Sequence, residues 1–205
     1  MTTRTVYLGL YDQLADWEYG HVAAQVSMQR FQLQPGRYEI RTVGLTTDPV
    51  RTIGGVRMLP DIALEDVSVE DAAMLVLPGG DGWESGALAA FGKLARRFRE
   101  AGKPVAAICG ATVGLAEEGL LDDVAHTSNF LEGLGSYGGA SLYRDERVVR
   151  SEGVITAGGA SALEFAREVL AELEAYSPRT LQAWYEFNRD DTAEAFGKLV
   201  ASVQD

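Results

Sequence analysis

Pro104–Gly114 reads PVAAICGATVG and holds the chain's single cysteine, Cys109. The apolar run Val105–Ile108 follows the breaker Gly102-Lys103-Pro104 and is too short for a helix, so it reads as a buried strand. The residues after it, Ala111–Glu118, read as a helix stopped by Gly119. Upstream the same order recurs. Ala72–Leu77, AAMLVL, is continuously apolar, ends in Pro78-Gly79-Gly80, and precedes a helical stripe of Leu88, Phe91, Leu94, Ala95 and Phe98 within Leu88–Ala101. A continuous apolar run suits a strand covered on both faces, as in a parallel sheet. Two strand–glycine–helix units in succession predict right-handed crossovers and an α/β fold.

The rest of the chain fits that frame. Thr5–Tyr11 and Tyr38–Leu45 are β-rich. Between them, Trp17–Leu33 places Trp17, His21, Ala24, Met28 and Phe31 at helical spacing, and Pro35-Gly36 ends it. Arg51–Leu59 has two short runs around Gly54-Gly55, a hairpin signal because both turn residues accept positive φ. Gly153–Ala157 is a strand candidate and Ser161–Ala175 a helix. Ser177-Pro178 opens another helix with a capping serine and a proline at the first position, and Asp191–Val203 is the last. The expected architecture is a flavodoxin-like three-layer α/β/α sandwich with a mainly parallel sheet and a small β-hairpin. It forms one domain over residues 1–205, with 176–205 a C-terminal helical extension.

With 205 residues, 46% hydrophobic, the chain is long enough for one sizeable core. Its formal net charge of −12 disfavours nucleic acid and anionic membranes as partners. The N-terminus enters a strand-like run without a signal-type apolar segment, and no run reaches the roughly 18 apolar residues of a membrane span. One cysteine forbids an internal disulfide and fits a reducing compartment. The expectation is a cytoplasmic protein. Two histidines and one cysteine, widely spaced, make no zinc pattern, so neither a metal nor another cofactor is expected.

In α/β sheets, sites form beyond the carboxyl ends of the strands. Gly79-Gly80 and Cys109 stand at two such ends. Cysteine is among the most buried residue types, so Cys109 reads as core packing on composition alone. The order strand, Cys, Gly-Ala-Thr, helix also resembles a nucleophile elbow, where small neighbours relieve crowding. Ala107, Gly110 and Ala111 are small. A helix N-terminus near the sulfur favours thiolate, which lowers the thiol pKa from about 8.5 towards ~7 or below. The Gly110 amide can then face a developing oxyanion. Pro78-Gly79-Gly80 is either a tight turn or a second source of such an amide. At the first strand's end lie Asp12, Asp16 and Glu18. Each alone reads as a cap or surface acid, but a carboxyl held among apolar groups has a raised pKa and can exchange a proton with a thiol. Trp83, after LPGGDG, reads equally as pocket wall, core or interface.

Taken together in this order, VYLGLYDQLADWE, LVLPGGDGW, PVAAICGATVGLAEEGLLDD, HTSNF and VITAGGASALEFA resemble the ThiJ/PfpI superfamily, of the class I glutamine amidotransferase-like fold. They span roughly residues 4 to 175. The resemblance implies a flavodoxin-like sandwich, commonly a homodimer, with Cys109 as nucleophile. It implies Glu18 as the acidic partner, Asp16 being second choice, and Gly80 and Gly110 as oxyanion-hole amides. The histidine that many members place after the cysteine is replaced by Gly110, and the downstream histidine position falls on Asn129. His126 lies three residues earlier, and on a strand the two need not point the same way. His21 shares a helical face with Glu18. HTSN and ICGAT resemble a branch usually labelled type 1 glutamine amidotransferase or intracellular protease/amidase.

Three functions follow as expectations. One is a cysteine-dependent, hydrolase-like enzyme, either amidase/amidotransferase-like or acting on a small reactive carbonyl. Cys109 attacks, Glu18 handles the proton, and Asn129, Asp16, His126, His21 and Trp83 are accessory candidates. The second is a redox sensor or stress protein through Cys109 oxidation. The third is a non-catalytic binding protein. The substrate is not legible.

Overall fold

The structure, a computed structural model, describes residues 3–203. A seven-stranded sheet runs β5-β2-β1-β6-β7-β9-β8. The strands are β1 (Arg4–Gly9), β2 (Tyr38–Gly44), β5 (Ile62–Ala63), β6 (Ala72–Leu77), β7 (Val105–Ile108), β8 (Val148–Ser151) and β9 (Val154–Ala157). All neighbours are parallel except β8, which pairs antiparallel with β9. The hairpin β3 (Val50–Arg51) and β4 (Arg57–Met58) forms a separate antiparallel pair around Gly54-Gly55. Together these make the flavodoxin-like sandwich with a small hairpin.

Side-chain alternation divides the core in two. From β6, Leu75 and Leu77 point to one face with Val105 and Ala107 of β7; Met74 and Val76 point to the other with Ala106 and Ile108. The first face is covered by α2 (Ala89–Glu100) and α3 (Ala111–Glu117). The second is covered by α1 (Asp16–Ser27) and α4 (Ala162–Glu172), with α5 (Pro178–Asp190) packed on α4 and α6 (Ala193–Ser202) on α5. The predicted α2 stripe of Leu88, Phe91, Leu94, Ala95 and Phe98 is buried throughout. Ser177 caps α5 by accepting from the Thr180 amide at 3.0 Å, with Pro178 in the first turn.

Three features depart from the sequence expectation. The helix expected over Trp17–Leu33 ends at Ser27, where Met28 turns extended and Gln29–Phe31 forms a separate 3-10 turn. In α1 the buried face is Glu18, Val22, Gln25 and Val26, not the stripe beginning at Trp17. Trp17 is 55% exposed, its indole reaching across the carboxyl ends of the strands to the loop after β9. Strand β8 also goes unread in the sequence. VVRS carries an arginine and a serine and gains its place by pairing, through the two-residue turn Glu152-Gly153, both at positive φ.

Trp83 is core rather than pocket wall. It is 1% exposed, and its indole donates to the Pro78 carbonyl at 3.0 Å and to the Tyr11 hydroxyl at 3.2 Å. So fixed, it fills the space beside Gly114, where an added Cβ would lie 2.2 Å from the ring. Gly114→Ala is therefore expected to cost about 1–3 kcal/mol through overpacking. The same methyl at Gly197, in α6 with no atom within 4 Å, should stabilise by up to about 1 kcal/mol through helix propensity. Thermal melts of the two variants check this, and equal shifts would contradict it.

Candidate active site

Strand β7 ends at Ile108, and the chain turns into α3 at Cys109, whose φ of 59° lies in the left-handed region. A non-glycine residue there stores of order 1–3 kcal/mol, retained only where surroundings enforce it. The enforcement is visible. The Cys109 amide donates to the Ala157 carbonyl at 2.9 Å, and its carbonyl accepts from the Thr112 amide at 3.1 Å and the Thr112 hydroxyl at 2.6 Å. That hydroxyl meets Ser128 Oγ at 2.7 Å, tying the elbow to the segment that carries Asn129.

Glu18 stands in the first turn of α1 and is wholly buried. Its Oε2 accepts from the Gly79 amide at 2.6 Å, while Oε1 has no N–H or O–H donor. The Cys109 thiol faces the carboxyl. A Cβ built on Gly79 would lie 2.9 Å from Oε2 and 3.0 Å from Sγ; one built on Gly159 would lie 3.0 Å from Oε1 and 2.9 Å from Sγ. Two glycines at two strand ends thus enclose the thiol–carboxyl pair, and any side chain at either would wedge into it. Asn129 Nδ2 donates to Sγ at 3.3 Å, and its Oδ1 accepts from the Gly159 amide at 2.8 Å, which fixes the amide's orientation. Trp17 Nε1 donates to the Gly159 carbonyl at 3.0 Å and clamps the same loop from above.

Burial pushes the Glu18 carboxyl up to about 7, against the Gly79 amide and the thiol, which favour the carboxylate. The expected lowering of the Cys109 thiol is overturned. Burial raises it and the Glu18 charge adds to the rise, outweighing the amide hydrogen bonds from Asn129 and Gly110.

A cleft of about 220 Å3 opens onto the sulfur, lined by Trp17, Glu18, Ile53, Gly80, Gly110 and Asn129 among others. Gly80 and Gly110 therefore share the cleft with Cys109. Asp16 does not meet the thiol: it accepts from the Gly54 amide at 2.7 Å and anchors the hairpin. His126 is fully buried, its ring nitrogens against the Val124 carbonyl at 2.8 Å and the Tyr137 hydroxyl at 2.6 Å. His21 packs edge-on against Trp184. Both histidines are occupied away from the cleft, and Trp83 lies beneath it. Sequence reasoning missed Trp17 and Gly159, and for Gly79-Gly80 it expects an amide for an oxyanion where the Gly79 amide instead donates to Glu18. The signal for Gly159 was present, since Gly158-Gly159 follows β9 as Gly79-Gly80 follows β6. Among the described residues no group of three or more His, Cys, Asp or Glu is placed to hold a metal ion, and no helix is long and apolar enough to cross a membrane.

A flavodoxin-like sheet with a strained cysteine elbow, faced by a carboxyl from the first helix, defines a class of proteins organised around one thiol. Residues 4–172 match the DJ-1/PfpI family, and the chain belongs to it. It is 36% identical over 208 residues, 99% of both chains, to "Uncharacterized protease YoaZ" of Bacillus subtilis. It is 30% identical over 141 residues, 68% of this chain and 75% of the relative, to "Glutathione-independent glyoxalase DJR-1.2" of Caenorhabditis elegans. The crystal structure of a thiJ/pfpI family protein from Bacillus anthracis superposes with a TM-score of 0.92 at 34% identity, covering 100% of this chain and 99% of that one.

Two measurements test this geometry. Cys109→Gly should be more stable than Cys109→Ala by about 1 kcal/mol, because only glycine occupies φ 59° without strain. Chemical denaturation of the pair decides it. Glu18 binds its proton more tightly folded, at about 7, than unfolded, near 4.5. Its contribution is thus fully favourable below about 4.5 and lost as pH rises through about 7. Relative to Glu18→Gln, wild type should lose at most about 3 kcal/mol across that window. A flat difference would place the carboxyl in solvent.

Proposed function

We propose that the protein is a cysteine-dependent enzyme acting on a small reactive carbonyl, with Cys109 as nucleophile and Glu18 as the group that moves the proton. The observation that carries this reading is the enclosed pair: Sγ and a carboxylate oxygen with no N–H or O–H donor, between Gly79 and Gly159. The Glu18 carboxylate takes the thiol proton as sulfur adds to the carbonyl carbon. The C–S bond forms, the C=O π bond becomes an oxyanion, and the new acid returns the proton to that oxygen. Gly80 and Gly110 amides are assigned to the oxyanion. Asn129 holds Sγ in line.

The cleft favours carbonyl addition over amide hydrolysis. A departing amine must be protonated before the C–N bond breaks, and with no histidine among the described residues lining the cleft that task falls on Glu18 alone. Addition to an aldehyde expels nothing. The name of the nematode relative, a glyoxalase, supports this reading, while the protease name of the Bacillus relative keeps amidase-type acyl transfer as the alternative.

Consumption of a 1,2-dicarbonyl tests it. In a 1,2-dicarbonyl, Glu18 then carries the proton from the sulfur-bearing carbon to the neighbouring carbonyl carbon, and water hydrolyses the resulting thioester to a 2-hydroxy acid and returns the thiol. Wild type should turn the dicarbonyl over, with a rate that rises with pH through about 7 as Glu18 becomes a base. Cys109→Ser and Glu18→Gln should each lose at least about a hundredfold, the usual share of a nucleophile or general base. Activity surviving Cys109→Ser would end the proposal.

A further inference from the structure

The cleft over Cys109 is charged in one sense only. Besides Glu18 it is lined by Asp81 and Glu84, both exposed at its mouth. Neither enters an ion pair among the described residues, and no lysine, arginine or histidine lines the cleft. The larger depression on the far side of the Gly80–Gly82 loop shares Asp81 and adds Asp12 and Asp48. Beyond Asn129, Arg147 is bound to Glu164 at 3.0 Å. Deepest in the cleft, the wholly buried Glu18 leaves Oε1 without a donor beside the sulfur. An arriving anion therefore meets carboxylates at the entrance and again at the reacting atom.

Resting on the reading of Cys109 as a nucleophile, we propose that Asp81 and Glu84 determine substrate charge: they bar carboxylate- and phosphate-bearing electrophiles and restrict the site to neutral or cationic ones. A cleft lined by one sign of charge, with low-dielectric walls, focuses its field on whatever enters. The full chain carries −12, so its long-range field has the same sign. Selection then precedes chemistry. An oxo-acid or a sugar phosphate of suitable size is turned away, while an uncharged aldehyde or ketoaldehyde, or one bearing an amine, reaches Sγ.

Paired alkylating reagents isolate this effect from catalysis. Iodoacetamide and iodoacetate have the same reacting carbon and differ in charge. With either, sulfur forms an S–C bond as the C–I bond breaks, iodide leaves, and the thiol proton passes to Glu18 or water. Rates at Cys109 are read by mass spectrometry, each divided by the rate with a free small thiol. In low salt the normalised preference for iodoacetamide should be about tenfold or more, the lower range of electrostatic focusing. It should shrink in ~0.5 M salt, where the screening length falls to a few ångströms. In the double variant Asp81→Asn, Glu84→Gln it should fall severalfold, the remainder being the share of Glu18 and of the chain's net charge. A preference near unity in wild type, or one unchanged in the double variant, overturns the charge assignment and leaves the nucleophile standing. Failure of both reagents to label Cys109 overturns both readings.

Discussion

The site depends on one constraint: a thiol and a carboxyl are held against each other out of water. Neither group gains by itself. Glu18 is raised by burial and keeps one oxygen without a donor, and Cys109 is raised by burial and by its neighbour's charge. Native structures rarely leave a buried polar atom unpartnered, because desolvation without compensation costs roughly 1–3 kcal/mol. Added to this is the left-handed backbone of Cys109. Strain and desolvation at one point are retained only because the surrounding sheet supplies stability elsewhere.

What retains them is the parallel sheet. Strands β6, β7 and β9 lie side by side and end at the same level, delivering Gly79, Cys109 and Gly159 to one locus. Hydrogen bonds in register, such as Cys109 to Ala157, leave the elbow no room to relax. Helix α1 brings Glu18 from the chain after β1, the strand on the other side of β6. The elements farthest from this meeting point tolerate irregularity best. The two-residue β5 and the antiparallel β8 lie at the sheet's edges, where pairing needs little from the sequence.

Much of this was legible in the amino acids alone. Continuous apolar runs at β6 and β7 marked a buried parallel sheet, and the small residues around Cys109 marked an elbow. The α1 stripe was misread because a buried glutamate breaks hydrophobic periodicity at the functional position: Glu18 faces inward where pattern reasoning expects an apolar residue, and Trp17 faces the cleft where it expects core. The thiol's pKa was misjudged for a different reason. Helix polarity can be read from sequence order, but the extent of desolvation depends on residues gathered from four loops. Long-range partners such as Asn129 on Sγ, or Trp17 on Gly159, leave no local signature.

Asn129 shapes the chemistry through what an amide lacks. A histidine there would bring its own titration and serve as a second proton carrier. An asparagine held by the Gly159 amide presents a fixed donor to sulfur and an acceptor already in use. It favours negative charge on Sγ but neither takes nor gives a proton. The whole proton inventory of the cleft then falls on Glu18, whose value near 7 is what a single group must have to act as base and then as acid near neutral pH. Chemistry that needs one proton moved from sulfur to oxygen matches that inventory. Amide cleavage asks more of the same group, because the proton must pass to an amine before the C–N bond breaks, and the two histidines that could share that work are packed elsewhere, His126 against Tyr137 and His21 against Trp184.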